Sequence, residues 1–197
     1  MMRIRLATPD DGGALSDIYR PAVADRATSF EVDPPDAAEM ARRVAATLEQ
    51  YPWLVCEDSG QAIGYAYASR HRERAAYQWA VEVSAYVRDG VHRKGVGRRL
   101  YGSLFRVLAL QGYQRAFAGI TLPNDASVGF HAALGFSPVG VYHRIGWKFG
   151  TWHDVAWLER AVADNLAPPD SPPTPLTGLP PASLAAAIAG PAPTQPC

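Results

Sequence analysis

The segment Val87-Arg88-Asp89-Gly90-Val91-His92-Arg93-Lys94-Gly95-Val96-Gly97-Arg98-Arg99 lies between an apolar strand-like run and a strongly amphipathic helical one. Gly95 and Gly97 let backbone N–H groups approach a ligand without a Cβ in the way. The helix start that follows offers free N–H donors and the positive end of a dipole, a combination that favours an anion. Five of the chain's 19 Lys and Arg fall between Arg88 and Arg99, and 19 Asp and Glu bring the formal net charge to zero. Basic residues concentrated at a helix start in a neutral chain point to phosphate groups on a ligand; a tight turn with solvated charges is the alternative. The Gly-x-x-x-x-Gly-Lys-Ser/Thr pattern of a P-loop is absent, and so is the third glycine of a dinucleotide fingerprint.

Around this loop the periodicities alternate between strand and helix. Ile4 to Ala7 reads as a strand, and Asp10 or Asp11 starts a helix to about Ala24 with Leu15, Ile18 and Ala22 inward. After Asp33-Pro34-Pro35, a helix from Asp36 carries Met40, Val44 and Leu48 on one face. Strands are predicted over Trp53–Glu57, Ala62–Ser69 and Tyr77–Val87, the first two joined through Asp58-Ser59-Gly60. A helix over 97–111 ends at Gly112, Ala116–Thr121 is a strand, and a short helix over Asn124–Leu134 stops at Gly135. Val139–Ile145 and Thr151–Glu159 close as a hairpin, making an α/β (α+β) chain with a mixed sheet.

Ten of the 17 prolines lie between Pro168 and Pro196. We therefore expect a domain over 1–166 and a Pro/Ala-rich, disordered C-terminal tail over 167–197, with a partner-docking element as the alternative. With 48% hydrophobic and 19% charged residues the whole chain is not disordered, and zero net charge argues against nucleic acid as a partner. Two cysteines make no disulfide framework, no apolar run approaches the ~20 residues of a membrane span, and Met1-Met2-Arg3-Ile4-Arg5 lacks a signal-peptide core. A cytoplasmic protein without a membrane partner is expected.

His92-Arg-Lys-Gly-Val-Gly97 resembles the acetyl-CoA pyrophosphate loop of the GNAT N-acetyltransferases, usually Gln/Arg-x-x-Gly-x-Gly/Ala, and Asn124-Asp-Ala-Ser-Val-Gly-Phe-His-Ala-Ala-Leu-Gly-Phe136 is similar to a later motif of that family. Tyr51-Pro-Trp-Leu-Val55, Gly64-Tyr-Ala-Tyr-Ala68, Val81-Glu82, Gly119-Ile-Thr-Leu-Pro-Asn-Asp125 and Trp152-His-Asp-Val155 resemble its phosphinothricin and methionine sulfoximine/sulfone acetyltransferases, over nearly all of residues 3–160. The resemblance implies a twisted mixed sheet whose central parallel strands splay apart to admit acetyl-CoA. It implies that Ala85, Tyr86 and Val87 meet the pantetheine arm, that Arg93, Lys94, Gly95, Val96, Gly97 and Arg98 hold the pyrophosphate, and that Asn124 sits near the reactive end. His92 departs from the usual first position; because the cradle is mostly backbone, affinity is expected to change more than function.

Acetyl transfer from a thioester to an amine needs a deprotonated amine, a stabilised oxyanion and a managed thiolate. Glu82, in the apolar run Trp79-Ala-Val-Glu-Val-Ser84, is the candidate base, since burial would raise its pKa. From the residues alone it is equally a wet-face or salt-bridged glutamate; the resemblance favours the base. His131 stands where many GNAT enzymes place a general-acid tyrosine, with a packing histidine as the alternative. The Val87 N–H is the oxyanion donor that the resemblance implies. Arg70, Arg72 and Arg74 precede Tyr77 in a loop suited to an acceptor carboxylate or phosphinate. Of these, the resemblance singles out Arg74 and Tyr77, and it makes Phe30 a wall of the acceptor pocket unless that ring is simply core. Cys56 reads as a structural thiol. His71, His143 and His153 lack metal-ligand spacing, so no metal is expected.

The leading expectation is acetylation of the α-amino group of a small amino-acid analogue; the resemblance implies a homodimer, with Trp147, Trp152 and Trp157 serving its interface or, equally, the core. Acetylation of another amine (another amino acid, an antibiotic or a protein N-terminus) and a non-catalytic acyl-CoA-binding module are the alternatives.

Overall fold

A computed structural model describes residues 2–91, 94–162 and 168–190. The chain begins with β1 (Arg3–Leu6), α1 (Gly12–Ala24), α2 (Ala37–Leu48), β2 (Trp53–Asp58) and β3 (Gln61–Arg70). It continues through β4 (Ala80–Val87), α3 (Val96–Gln111), β5 (Arg115–Thr121), α4 (Asp125–Ala132), β6 (Ser137–Lys148), β7 (Thr151–Ala161) and α5 (Pro181–Ala189). One mixed sheet has the strand order β1-β2-β3-β4-β5-β7-β6.

Local chemistry sets most element ends. The Asp36 carboxylate accepts the Glu39 N–H at 2.8 Å and caps α2. Ser59 and Gly60 both take positive φ, the backbone a two-residue β2–β3 hairpin requires. Gly112 ends α3 at φ +91° and returns its N–H to Ala109. Two strands differ from expectation. Ala75–Tyr77 is a 3-10 turn, its alanines being poor strand formers, and β4 starts only at Ala80. β6 reaches from Ser137 to Lys148 because register shifts near Pro138 and after Tyr142 absorb the irregular residues.

Helices cover both faces of the sheet, so β2 is buried on both sides. Leu54, Cys56, Ala66, Val81 and Val83 pack with Leu100, Leu104 and Leu108 of α3. Trp53, Val55 and Tyr65 pack with Leu15, Ile18 and Val23 of α1 and Met40 and Val44 of α2. At the centre, β4 pairs with β5 in parallel only over Ala80–Glu82 and Arg115–Phe117. β4 then stays with β3 as far as Val87, and β5 stays with β7 as far as Thr121. Beyond Glu82 and Phe117 the two strands part, which is the predicted splay.

The C-terminal segment corrects the expectation of a disordered tail over 168–190; Ala167 and residues 191–197 lie outside the described residues. Leu176 and Leu179 are buried with Val107, and Leu184, Ala187 and Ile188 pack around them. Gln111 Nε2 donates to the carbonyls of Gln50 (2.8 Å) and Thr174 (2.9 Å), while Arg106 donates to those of Ala187 (2.7 Å) and Gly190 (2.9 Å). The prolines that suggested disorder also lower the entropy of the unordered segment, so a few leucines and these capped carbonyls suffice to dock it. No helix among the described residues is long and apolar enough to cross a membrane.

Candidate active site

Where β4 and β5 part, a cleft of about 820 Å³ opens between β4, β5 and the starts of α3 and α4. Its β4 edge is backbone. Arg88 donates its N–H to the Ile63 carbonyl of β3 at 2.9 Å. Because successive N–H groups of a strand point to opposite edges, those of Ala85 and Val87 face away from β3, towards the cleft. Gly95, at φ +78°, turns the chain into α3 without a side-chain cap, leaving first-turn N–H groups available for an anion. Gly97 has a packing reason as well: a Cβ there would stand 2.9 Å from the Phe130 ring. Gly95, Val96, Gly97 and Arg98 line the cleft, as do Ala85, Tyr86, Val87 and Asn124. Lys94 is exposed beside the cleft rather than in its lining, and Arg93, with His92, lies outside the described residues.

Asn124 follows the cis Leu122–Pro123 peptide and caps α4, its Oδ1 accepting the Ser127 N–H at 3.1 Å. His131 is buried at the cleft wall. Its Nδ1 lies 2.8 Å from the Ser127 carbonyl, which only accepts, so Nδ1 carries the proton and Nε2 accepts from Tyr101 Oη at 3.2 Å. Burial lowers the pKa of this ring, and the Ser127 bond offsets that only in part. Both ring nitrogens are therefore engaged within the protein. Burial likewise pushes the Cys56 thiol up to about 11, consistent with a structural role.

Glu82 is the last β4 residue paired to β5, opposite Phe117. Strand alternation puts Val81 and Val83 into the α3-side core and turns Glu82 to the other face. Its side chain is 32% exposed, more open than the apolar run predicts. His71 Nδ1 lies 3.1 Å from Glu82 Oε1, and an Arg72 guanidinium nitrogen lies 3.8 Å from the same oxygen. The His71 ring stacks on Phe117 at 4.2 Å, with Tyr77 and Trp157 edge-on at 6.2 and 6.1 Å. Tyr77 thus reaches this cluster. Arg74 is exposed at the start of the 3-10 turn, and the arginine beside Glu82 is Arg72. His71, Phe117 and Trp157 were not anticipated; only the alternation of β5 and β7 carried a signal for the last two.

Phe30 stands on the loop between α1 and α2, with its ring against Gly146 so closely that a Cβ there would collide with it. Two contacts hold that loop. Glu31 accepts from Arg43 (2.8 and 3.0 Å) and from Tyr19 Oη (2.9 Å). Lys148, buried at the end of β6, donates from Nζ to the carbonyls of Val23 (2.6 Å), Ser29 (2.7 Å) and Arg26 (3.2 Å). Nothing in the local pattern points to Lys148, since a lysine beside a hairpin turn normally reads as solvated.

This geometry agrees with comparisons to known proteins. The profile of the acetyltransferase (GNAT) domain matches residues 4–157. A phosphinothricin N-acetyltransferase of Streptomyces viridochromogenes is 36% identical over 178 residues, covering 90% of this chain and 96% of that protein. An L-methionine sulfoximine/L-methionine sulfone acetyltransferase of Salmonella typhimurium is 33% identical over 168 residues, covering 85% and 98%. The crystal structure of a phosphinothricin acetyltransferase from Sinorhizobium meliloti in complex with AcCoA superposes with a TM-score of 0.83 at 34% identity, covering 89% of this chain and 97% of that one. With the splayed sheet, the glycine-led start of α3 and matches along most of both chains, the protein belongs to the GNAT family of N-acetyltransferases.

Proposed function

We propose that the protein moves the acetyl group of acetyl-CoA directly onto the α-amino group of a small amino-acid analogue of the phosphinothricin or methionine sulfoximine/sulfone kind, with Glu82 as general base. The observation that carries this reading is the place of Glu82. It is the last β4 residue paired with β5, outside the cleft lining but next to its first β4 members, Val83 and Ser84, so an amine held on the Glu82 face reaches a thioester at the head of the cleft. The chemistry of the cleft fits acetyl-CoA: strand N–H groups without a strand partner suit an amide-containing arm, and an uncapped helix start with Arg98 suits a pyrophosphate. The relatives named for these substrates, and the AcCoA-bound structure, support the same choice.

Glu82 takes a proton from the acceptor ammonium, directly or through one water, freeing the nitrogen lone pair. The nitrogen bonds to the thioester carbon, and the Val87 N–H, turned from β3, donates to the developing oxyanion. The C–S bond then breaks, and the departing thiolate takes up the second proton, which the nitrogen sheds as it becomes the amide. His131 lies at the cleft wall with its Nε2 accepting from Tyr101, and the two rings shape the thiolate's side of the cleft. Arg72 beside Glu82 pairs with the acceptor's acidic group, Tyr77 and Phe30 bound the acceptor, and Arg74 steers it from the exposed turn.

The protein is a homodimer in this reading. β6 is a sheet edge, and Val139, Val141, Ile145, Trp147, Phe149 and Trp152 on the β6–β7 hairpin are all exposed, a surface suited to a second copy. Trp157 belongs instead to the cluster around Glu82.

Thiol release from acetyl-CoA, with L-phosphinothricin, methionine sulfone, ordinary amino acids and a basic peptide as acceptors, tests the reading. Saturable release with the first two, falling about 10²- to 10⁴-fold in kcat in Glu82→Gln, is expected. Release confined to another amine would overturn the acceptor class while keeping the mechanism, and an unimpaired Glu82→Gln would overturn the base.

A further inference from the structure

We infer that His71 is a positioning residue that fixes the Glu82 carboxylate by holding one of its two oxygens. This rests on the reading of Glu82 as the base. A glutamate's terminal torsion is broad and nearly two-fold, so an unrestrained carboxylate presents either oxygen over a range of directions. Here both close contacts fall on Oε1: His71 Nδ1 at 3.1 Å and Arg72 at 3.8 Å. Among the described residues, the side-chain hydrogen bond to this carboxylate falls on Oε1 and none on Oε2. A carboxylate only accepts, so Nδ1 carries the proton in this pair. Oε2 is then the oxygen that takes the acceptor's proton: the N–H bond breaks, an O–H bond forms on Oε2, and His71 neither gains nor loses a proton.

The imidazole is itself held. It lies flat on Phe117, with an interplanar angle of 10°, and the edges of Tyr77 and Trp157 flank it. Its side chain is only 11% exposed. Phe117 is also the β5 partner of Glu82 in the sheet, so the ring that seats His71 and the backbone that seats Glu82 share one register position. The charged group of Arg72 lies over the Trp157 ring at 5.9 Å, on the same side of the cluster. A histidine that merely filled space here would need the aromatic stack but not the nitrogen. The structure has both, and the nitrogen is aimed at the Glu82 carboxylate, where β4 and β5 part.

Proton transfer requires heavy atoms within about 2.6–3.2 Å, and loosening the base by about 1 Å is a large perturbation. The test uses His71→Phe, which keeps the ring but removes the nitrogen, and His71→Asn, whose Nδ2 restores a donor near the Nδ1 position. Each is made in the wild-type and Glu82→Gln backgrounds, with kcat, the KM for acetyl-CoA and Tm measured throughout. In the wild-type background His71→Phe is expected to lower kcat about tenfold, with the KM for acetyl-CoA and Tm unchanged, and His71→Asn to recover most of the loss. In the Glu82→Gln background His71→Phe is expected to cost nothing further. A wild-type kcat in His71→Phe, equal losses in both variants, or the same fold-loss in both backgrounds would each overturn the assignment. If Glu82→Gln itself keeps full activity, the base reading and this one fall together. If it collapses while His71→Phe does not, the positioning role alone falls.

Discussion

Replacing Lys148 with methionine tests how the proposed acceptor side of the protein is held together. Lys148 ends β6, and its ammonium bridges the hairpin to the carbonyls of Val23, near the end of α1, and of Ser29, next to Phe30. The third carbonyl, of exposed Arg26 at 3.2 Å, can be hydrated instead and contributes little. Methionine keeps most of the packed stem, so the loss is chiefly two charge-assisted hydrogen bonds to buried residues. At about 1.5–3 kcal/mol each, less the desolvation no longer imposed on the ammonium, the net cost is about 3 kcal/mol. For a chain of this size that corresponds to a Tm lower by about 6–12 °C. The kinetic signature is asymmetric. Phe30 and the loop that carries it lose their anchor to the hairpin, so the acceptor KM rises severalfold, whereas the KM for acetyl-CoA, set by β4 and α3, stays near wild type. Differential scanning fluorimetry and the two KM values decide the matter. A Tm within about 2 °C of wild type, or equal increases in both KM values, would refute the bridge as the element that positions Phe30.

Three further outcomes follow from other contacts. Gly97→Ala places a Cβ 2.9 Å from the Phe130 ring at the start of α3, so acetyl-CoA binding measured by calorimetry should weaken and stability fall by about 1–3 kcal/mol, while the acceptor KM is spared. Leu176→Ala empties a buried position under the C-terminal segment and should cost about 2–3 kcal/mol in urea denaturation; a cost near zero would show that the segment contributes no stability. Burial holds the His131 pKa below the ordinary 6.5, so the unfolded chain binds that proton more readily and stability falls as pH drops below about 6.5, being fully present above it. Melts at pH 7.5 and 5.5 should show this loss in the wild type and a flatter response in His131→Asn, whatever the variant's absolute Tm.

How much of this was legible in the sequence depends on how far along the chain each feature's determinants lie. The glycines that open and close α3, the Asp36 cap and the Ser59-Gly60 turn act within a few residues, and each reads directly from local chemistry. The parting of β4 and β5 followed from the resemblance and has a local counterpart in the run from strand through Gly95 to helix. The surroundings of Glu82 were hidden because strand alternation leaves its face undecided: one side of β4 enters the α3 core and the other meets His71. That contact exists only because the 3-10 turn at Ala75–Tyr77 delays β4, setting Glu82 against Ser69 of β3 and bringing the start of the loop back over the carboxylate. The same delay leaves Arg74 at the exposed turn and puts Arg72 beside Glu82. In the C-terminal segment, proline content outweighed a few leucines whose spacing matches a groove on α3 that the sequence alone does not reveal.

These differences divide the two ends of the active site by the kind of atom that does the recognising. On the cleft side the donors are backbone N–H groups of one strand end and one helix start, adjacent in sequence, so side-chain changes there alter affinity more than identity. On the proposed acceptor side the groups come from the β3–β4 turn, β4, β5, β7, the α1–α2 loop and the β6–β7 hairpin, segments that are far apart in sequence. In the proposed reading, a single substitution at Arg72, Phe30, Gly146 or Lys148 therefore reshapes the acceptor pocket without touching the parting of β4 and β5. Acceptor choice and acetyl transfer are thus separable. A variant selected for a new amine should carry its changes in the loop and hairpin while Glu82, the Val87 N–H and the Gly95–Gly97 turn stay as they are.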